Sequence, residues 1–229
     1  MTDLTSSISK SPLFRNIPPE QYDELLSLLR AKERHFSKGE TIYNQGQLQR
    51  LSGIVLSGTA ELHFCDENYN LVNLIHLHEG ELFGAAISLT GGKTSPMELC
   101  AVTDCHILFL DFSVLLDANG DAPEELSPAA HQLTVNLLQG FARRLQFLSG
   151  KVRVLSQRRL RDKIKVYLQT LPRTEDGLIT LTMNRIRLAD YLYVDRSALS
   201  RELSRMQKDG LLEVKGKTIR IIDPESFFE

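Results

Sequence analysis

The sequence has few of the features that mark secreted, membrane-spanning or zinc-ribbon proteins. Its 229 residues include only three cysteines, Cys65, Cys100 and Cys105, with no Cys-x-x-Cys pair, so neither a disulfide framework nor a zinc ribbon is indicated. No run approaches the roughly 20 apolar residues that span a bilayer, and the N-terminus lacks the basic start and apolar core of a signal peptide. We therefore expect a protein of the reducing cytoplasm with no membrane partner.

Motifs of the common enzyme classes are also missing. The sequence contains no glycine-rich phosphate loop, no recognisable metal-ligand spacing and no plausible Ser/His/Asp set. Glu79 and Glu81 flank Gly80, but two carboxylates in a turn are more often solvated than catalytic. We therefore expect no enzymatic activity, no catalytic residue, no metal site and no bound cofactor.

Charge is unevenly distributed along the chain, although the net charge is only −2. Residues 1–150 contain 10 Lys and Arg against 18 Asp and Glu, a net −8, whereas residues 151–222 contain 17 against 8, a net +9. The last seven residues add −3. An acidic module joined to a basic one indicates that the second module meets phosphate or an acidic membrane.

Short β-rich runs separated by glycines extend from His35 to Phe112. The strand candidates are residues 54–56, 60–64, 71–77 and 105–110. Short strands with turn residues between them favour a sandwich or barrel, and the absence of strand–helix alternation argues against a doubly wound nucleotide fold. Before the strands, residues 19–29 predict a short amphipathic helix with Pro19 in its first turn.

After Ser127 and Pro128 the spacing of apolar residues changes to that of a helix. These two residues predict an N-cap followed by proline at the first helical position. Ser156 is expected to cap the next helix, which ends before Pro172, so the two modules meet near Leu155. Between these caps, apolar residues recur at steps of three and four, as in a coiled-coil seam: Leu133, Leu137, Phe141, Leu145, Leu148, Val152 and Leu155. We interpret the stripe as a homodimer interface; the alternative is that it covers the β domain of its own chain.

The basic segment predicts two short helices, a tight turn and a hairpin. Asn184 is expected to cap a helix that ends at Leu192, and Asp195 to cap a second helix over residues 196–207. Two strands then surround Lys215-Gly216-Lys217. This order of elements is the pattern of a winged helix-turn-helix.

The exposed face of the second helix carries arginines and serines, which bond base edges or phosphates in DNA. Because the N-terminal part of such a helix reaches the bases, the expected base-reading residues are Arg196, Ser197, Ser200 and Arg201. The expected phosphate contacts are Arg185, Ser204, Arg205 and Lys217. The alternative is a solvated charged face without a ligand.

Over roughly residues 12–224, the chain resembles the cyclic AMP receptor protein/fumarate–nitrate reduction regulator (Crp/Fnr) family of bacterial transcription factors. Four segments are similar to the turns of the family's β-roll: residues 36–40, 44–46, 54–60 and 80–84. Four others are similar to its helix-turn-helix and wing: residues 188–190, 196–203, 210–214 and 216–219. Each segment alone is weak evidence, but their order and spacing together are specific.

The resemblance implies an α+β fold with three parts. These are a cyclic-nucleotide-binding-like β-roll over residues 12–126, a dimerisation helix over 127–155 and a winged helix-turn-helix over 156–224. It also implies a cytoplasmic homodimer that senses a small effector, contacts RNA polymerase and binds a pseudo-palindromic operator with half-sites about 10 bp apart. The alternatives are a ligand-binding regulator that acts through a protein partner, and a heme- or metal-based sensor of the same family.

Departures from the family pattern argue against cyclic AMP as the effector. Family members that bind this nucleotide carry Glu after Phe-Gly and an Arg-Ser or Arg-Thr pair after the following loop. Here Ala85 follows Phe83-Gly84 and the Arg position falls on Thr94 or Ser95, so no guanidinium neutralises a cyclic phosphate, and Lys93 does not replace an Arg fork. We expect an unidentified small effector in a pocket formed by Phe83, Gly84, Ala85, Ala86, Thr94 and Ser95.

The residues that bind metal in sensors of this family are not recognisable here. Residues 1–34 contain no cysteine, which excludes an iron–sulfur cluster of the family's type. Two pairs of ligand-type side chains each lie two apart on a predicted strand and so share a face: His76 with His78, and His63 with Cys65. Without a third ligand, neither pair predicts a metal site. Cys100 and Cys105 are expected to be buried apolar residues rather than redox switches.

Two residues of the predicted helix-turn-helix depart from the best-known family members. Ser197 stands where those members have Glu, which accepts from a cytosine amino group, so we expect a different base preference at that position. Tyr193 replaces the usual Gly of the turn. If the turn requires a positive φ, the tyrosine is strained there.

Overall fold

The computed structural model describes residues 2–65, 71–90, 94–95, 97–116, 126–174, 177–223 and 227. Its contacts divide the chain into two compact units, residues 1–141 and 142–229. Each unit contains its own hydrophobic core. None of the described helices is both long and apolar enough to cross a membrane.

Antiparallel strands form most of the first unit. They are β1 (Lys32–Phe36), β2 (Thr41–Tyr43), β3 (Ser52–Ser57), β4 (Ala60–Cys65), β5 (Leu71–Leu77), β6 (Leu82–Phe83), β7 (Glu98–Ala101) and β8 (Cys105–Leu110). One sheet has the order β1-β8-β3-β6 and the other β2-β7-β4-β5. The predicted strands are confirmed: β3, β4, β5 and β8 contain them.

Helices pack beside these sheets in the first unit. They are α1 (Thr2–Ser9), α2 (Tyr22–Leu28), α3 (Ala85–Leu89) and the beginning of α4 (Pro128–Leu155), with 3₁₀ turns at Pro12–Phe14, Pro19–Gln21 and Phe112–Leu115. The predicted helix near Pro19 is therefore divided into a 3₁₀ turn and α2. Leu25 of α2 and Phe14 are buried in one cluster with Leu108 of β8.

Helix α4 begins as predicted, because the Ser127 hydroxyl accepts a hydrogen bond from the backbone N–H of Ala130 at 3.3 Å. The expected dimer seam, however, is wrong at its first two positions. Leu133 and Leu137 are 0% and 6% exposed and belong to the core of their own unit. The nearby Asn136 side chain donates hydrogen bonds to the carbonyl oxygens of Leu13 and Arg15 at 2.9 and 2.7 Å. This part of α4 therefore covers the β domain.

A second apolar stripe on α4 remains at the surface. Leu138, Leu145 and Val152 are 63%, 66% and 66% exposed, and they follow one another at steps of seven residues. With the residues between them, the stripe has alternating steps of three and four, as in a heptad seam: Leu138, Phe141, Leu145, Leu148, Val152 and Leu155. Phe141 and Leu155 are only partly exposed, and Phe141 also packs against the core of the first unit. Sequence reasoning placed the last five of these six residues in the seam and missed Leu138.

The second unit is a three-helix domain with a small sheet. Its elements after α4 are α5 (Leu160–Gln169), β9 (Leu178–Thr180), α6 (Arg185–Leu192), α7 (Arg196–Lys208), β10 (Leu212–Lys215) and β11 (Thr218–Ile221). The sheet order is β10-β11-β9. Ser156 does not cap α5, which begins only at Leu160 with Arg159 in the N-cap position. The Ser156 hydroxyl instead donates to the Arg153 carbonyl oxygen in the last turn of α4.

The turn between α6 and α7 has the predicted position and a strained residue. Asn184 caps α6 by accepting from the Arg187 N–H at 2.9 Å, as expected. Asp195 occupies the N-cap position of α7, but its side chain makes no capping hydrogen bond. Tyr193 ends α6 with φ 56° and ψ 54°, a left-handed conformation that costs an L-residue about 1–2 kcal/mol.

We expect Tyr193→Gly to stabilise the second unit. Glycine adopts the left-handed conformation freely, and part of this gain is offset because glycine adds about 0.5–1 kcal/mol of unfolded-state entropy. The expected net gain is therefore up to about 1 kcal/mol, visible as a higher thermal midpoint by circular dichroism. Tyr193→Ala is the matched control, since it removes the ring but keeps Cβ. A gain of equal size for both variants would show that ring exposure, rather than the backbone, is the cause.

Candidate nucleic-acid interface and effector pocket

The candidate DNA-reading helix is α7, which packs on α6 through apolar side chains. Leu199 and Leu203 of α7 and Leu188 and Leu192 of α6 are buried in one cluster. The small Ala189 is also buried there, and its carbonyl oxygen accepts from the Val194 N–H at 3.0 Å across the turn. One face of α7 is thereby fixed against its own domain, and the opposite face is left to solvent.

The outward face of α7 holds the predicted base-reading and phosphate-binding side chains. Those that are exposed together on this helix are Arg196, Ser197, Ser200, Arg201, Ser204 and Arg205. Within the described part of the chain, no ion pair occupies Arg196 or Arg201. Arg205 Nη1 lies 3.7 Å from Glu202 Oε2. The Ser204 hydroxyl donates to the Ser200 carbonyl oxygen at 3.0 Å, so its proton is already used within the helix.

The acidic residues at this end of the domain are held by Arg161 of α5. Its Nε lies 2.7 Å from Glu202 Oε1 and its Nη2 lies 2.8 Å from Asp209 Oδ2. The hydrogen bond to Glu202 is the main reason that the pKa of Arg161 is raised. Sequence reasoning did not identify Arg161, because nothing in the spacing indicates that α5 meets α7 at this point. These contacts hold the Glu202 and Asp209 carboxylates on the α5 side of the helix.

Arg185 differs from the other predicted phosphate contacts. It is only partly exposed, and its Nη1 is buried with no hydrogen-bond partner among the described residues. Burial lowers the pKa of its guanidinium. A phosphate contact at this position requires the side chain to turn outward. The exposed Arg187, two residues beyond it on α6, was not among the predicted contacts.

The hairpin predicted as a wing is confirmed. Lys215 of β10 pairs with Thr218 of β11, and Gly216 in the turn has φ 60°. Lys217 is exposed, while its carbonyl oxygen accepts from the Leu181 N–H at 2.8 Å. The wing backbone is therefore held to the domain and presents two lysines to solvent.

The predicted effector-pocket residues lie on several elements of the first unit. Phe83 is buried and its ring centroid is 6.0 Å from that of Tyr43 and 6.3 Å from that of Phe109. Gly84 has φ 76° and is the N-cap of α3, and a Cβ there would collide with the Gln49 amide. Ala85 is buried, whereas Ala86 is exposed.

The other two predicted pocket residues meet the same short loop. Thr94 is exposed and bridges to Leu48, while the buried Ser95 donates its N–H to the Gln47 carbonyl oxygen at 2.9 Å. The Ser95 hydroxyl donates to the Met97 carbonyl oxygen. Residues 46–49 thus contact Ser95 at one end and Gly84 at the other.

Sequence reasoning missed two polar residues of this region. Gln49 is 4% exposed, and its side chain hydrogen-bonds Tyr43, whose pKa is raised to about 12 chiefly by burial. The Tyr43 hydroxyl donates to the Leu51 carbonyl oxygen at 2.9 Å. Neither residue carries charge at neutral pH, and both are hydrogen-bonded within the protein.

Comparison with known proteins agrees with this two-unit organisation. A family model of the cyclic nucleotide-binding domain matches residues 33–118, and one of the Crp-like helix-turn-helix domain matches residues 149–227. The chain is 27% identical over 220 residues to the probable transcriptional regulator Flp of Lacticaseibacillus casei, covering 93% of each protein. It is 25% identical over 222 residues to the fumarate and nitrate reduction regulatory protein of Escherichia coli K12, covering 94% of this chain and 84% of that protein.

A solved structure supports the fold. The catabolite activator protein of Thermus thermophilus superimposes with a TM-score of 0.54 at 23% identity, covering 95% of this chain and 96% of that one. Both domain models therefore match in the order that the structure shows, and the relatives extend over nearly the whole chain. The chain belongs to the Crp/Fnr family of DNA-binding transcriptional regulators.

Proposed function

We propose that the chain acts as a homodimer that binds a pseudo-palindromic operator under the control of a small effector other than cyclic AMP. The observation that carries the proposal is the exposed basic face of α7, beside which Arg161 holds the carboxylates of Glu202 and Asp209. In this proposal residues 12–126 form the sensor, 127–155 the dimerisation helix and 156–224 the DNA reader. The protein works in the cytoplasm as a non-enzymatic regulator that contacts RNA polymerase.

Base reading is assigned to Arg196, Ser197, Ser200 and Arg201, near the N-terminal half of α7. Their exposed side chains supply donors for guanine O6 and N7, and the serines donate or accept. Arg205, Lys217 and Ser204 are assigned to phosphates, as is Arg185 once its side chain turns outward. Phosphate contacts orient the helix, whereas base contacts select the sequence.

We expect Arg201→Ala to weaken binding to the preferred operator by about 1–3 kcal/mol and to relax selection at one base pair. The operator is first selected from a random duplex library with the parent protein, and affinities are then measured by fluorescence anisotropy against this site and a scrambled one. Arg205→Ala should instead weaken both sites equally and reduce the salt slope by about 1.

Arg15→Ala is the control for these variants, since Arg15 is also exposed but belongs to the first unit. It should bind both duplexes as the parent does. An Arg201→Ala protein that retains full affinity and full discrimination would refute the base-reading assignment.

Dimerisation is assigned to the exposed stripe of α4 that begins at Leu138. Leu145 and Val152 are each 66% exposed and Leu148 is 43% exposed. Exposed apolar side chains that lie together on one helix face mark an interaction surface. Pairing two copies of such a stripe buries each leucine, at about 1.5–3 kcal/mol per side chain. A parallel seam of this kind relates two reading helices by a two-fold axis, and the operator then has matching symmetry.

We expect Leu145→Glu to dissociate the dimer. Two copies of the change remove about 3–6 kcal/mol of apolar burial, which raises the dimer dissociation constant on the order of 100-fold or more. Sedimentation equilibrium at several protein concentrations measures this constant. Gln146→Glu is the matched control, because it adds the same charge one residue further on, away from the stripe. Equal dissociation constants for the two variants would argue against this interface.

The effector pocket is assigned to Phe83, Gly84, Ala85, Ala86, Thr94 and Ser95, now with Gln49 and Tyr43. No carboxylate stands at position 85 to bond a ribose, and no guanidinium stands at 94 or 95 to neutralise a cyclic phosphate. A ligand that binds here shifts the regulator only if its affinity differs between the two states of the dimer.

We expect cyclic AMP to leave both the thermal midpoint and operator affinity of the full-length protein unchanged at millimolar concentration. A ligand that binds the folded state raises the midpoint progressively with its concentration. Differential scanning fluorimetry measures this shift, with cyclic GMP and AMP as matched nucleotides. A concentration-dependent rise specific to cyclic AMP would contradict the inference drawn from Ala85.

A further inference from the structure

One face of the sheet β2-β7-β4-β5 carries a cluster of histidine, carboxylate and thiol side chains. The opposite face of this sheet contributes Ala60, Leu99 and Ala101 to the core. Side chains alternate between the faces of a strand, so the residues between these three point to the other side. Register places His63 of β4 beside Glu98 of β7, and Glu61 of β4 beside Cys100 of β7.

The ligand-type atoms of three of these residues converge. Cys100 Sγ donates to Glu98 Oε1 at 3.1 Å, and His63 Nε2 lies 3.9 Å from the same carboxylate oxygen. One ligand atom each from His63, Glu98 and Cys100 lies within 4.8 Å of the others. This is a nitrogen, oxygen and sulfur donor set assembled from two adjacent strands.

His63 is a buried member of this cluster. It is 8% exposed, and its Nδ1 is buried with no hydrogen-bond partner among the described residues. Glu61 Oε1 lies 3.9 Å from that Nδ1, on the side of the ring away from Glu98. A buried polar atom without a hydrogen-bond partner costs free energy. The buried position of this imidazole therefore calls for a role beyond packing.

We propose that His63, Glu98 and Cys100 bind one divalent transition-metal ion of the Zn²⁺ class. Tetrahedral bonds of about 2.0–2.1 Å to nitrogen, 2.0–2.2 Å to oxygen and 2.3 Å to sulfur place the ligand atoms about 3.3–3.6 Å apart. The contacts of 3.1 and 3.9 Å bracket this separation. The thiolate selects a borderline or soft ion over Mg²⁺ or Ca²⁺.

The surrounding residues suit the outer contacts of such a site. With Nε2 on the metal, the His63 Nδ1–H faces the Glu61 carboxylate, the arrangement that orients metal-bound histidines. The Thr41 hydroxyl lies 3.4 Å from Glu98 Oε1 and 3.7 Å from Cys100 Sγ. Three protein ligands leave a fourth position for water or a small molecule.

Metal binding replaces the thiol hydrogen bond of the free site. The Cys100 S–H bond breaks, its proton passes to solvent, and the sulfur electron pair forms the metal bond, so no electron transfer is required. Glu98 exchanges the donated thiol hydrogen for a metal–oxygen bond. Two carboxylates beside the thiolate, from Glu61 and Glu98, favour a cation at this point.

Among the side chains that the structure describes in the first unit, the other cysteine and histidine groups lack this combination. Cys105 donates its thiol to the carbonyl oxygens of Thr59 and Thr103 at 3.2 Å. His106 Nε2 lies 2.8 Å from Glu33 Oε2 and its ring stacks on His35, without a thiol among the described neighbours. These residues therefore provide controls for the proposed site.

The test is titration of the metal-free, full-length protein with Co²⁺, followed by displacement with Zn²⁺. Cobalt bound to a thiolate shows a sulfur-to-metal charge-transfer absorption, so the readout identifies the ligand as well as the stoichiometry. We expect one ion per chain with this absorption, loss of the absorption on adding Zn²⁺, and a higher thermal midpoint with either metal.

Cys100→Ser should abolish the charge-transfer band, and His63→Gln and Glu98→Gln should each weaken Co²⁺ affinity about tenfold or more. Cys105→Ser and His106→Gln should bind as the parent does. Thermal unfolding of each metal-free variant shows whether it is folded, and Glu98→Gln is included because its amide retains most of the local contacts. Absence of the band in the parent, its persistence in Cys100→Ser, or its loss in Cys105→Ser would each overturn the proposal. The measurement uses no DNA and is independent of the proposed function.

Discussion

The proposed DNA-reading surface depends on the ion pairs that join Arg161 to Glu202 and Asp209. Helix α7 carries its own carboxylate in its middle, and Asp209 follows at its C-terminus. Left free, these acids would compete with DNA phosphate for the arginines of the same helix. Arg161 approaches from α5 at 2.7 and 2.8 Å and engages both, while the longer 3.7 Å contact leaves Arg205 only loosely paired. One residue outside the helix-turn-helix thereby holds both carboxylates, while Arg196 and Arg201 of α7 remain exposed.

This arrangement explains why total charge is a poor guide to the interface. The net +9 of residues 151–222 includes Arg161, which is occupied, and Arg185, whose Nη1 is buried. The spacing of α7 predicted the exposed face correctly, because helix periodicity alone decides which side chains share a side. The contact between Arg161 and Glu202 joins residues 41 positions apart, and no local pattern indicates it.

Helix α4 also shows that residue spacing does not by itself reveal what each apolar stripe contacts. Its apolar residues occupy two stripes that overlap in sequence, and steps of three and four occur in both. Leu133 and Leu137 pack into the β domain, while Leu138 starts the exposed stripe. The alternatives of covering the β domain and of pairing with a second copy are therefore not exclusive: the first describes the beginning of the helix. Sequence reasoning located the helix and its cap but was unable to assign the stripes, since that depends on which side the β domain lies.

Strands of the first unit were predicted where apolar residues are consecutive, as in β3, β5 and β8. Strand β1, with the sequence Lys-Glu-Arg-His-Phe, was missed because four of its five residues are exposed, so its polar composition resembles that of a loop. Its pairing with β8 over five residues supplies the stability that composition does not indicate. Helix α3 was missed for a different reason: its five residues are too few for a helical period to be recognised.

The cluster of His63, Glu98 and Cys100 was not recognised from the sequence, because its residues come from two different strands. Along β4, alternation places His63 and Cys65 on one face, but without a third ligand this pair, like His76 with His78, did not predict a metal site. The ligand-type neighbours in the structure come instead from β7, where Glu98 and Cys100 lie opposite His63 and Glu61. Between them Leu99 is buried in the core cluster that also contains Phe83. A slip of one residue between β4 and β7 would exchange the two faces, placing charge in the core and Leu99 outside. The β4–β7 register that buries Leu99 is therefore the same register that brings the three ligand atoms together. The burial of Leu99 thus helps to preorganise the cluster.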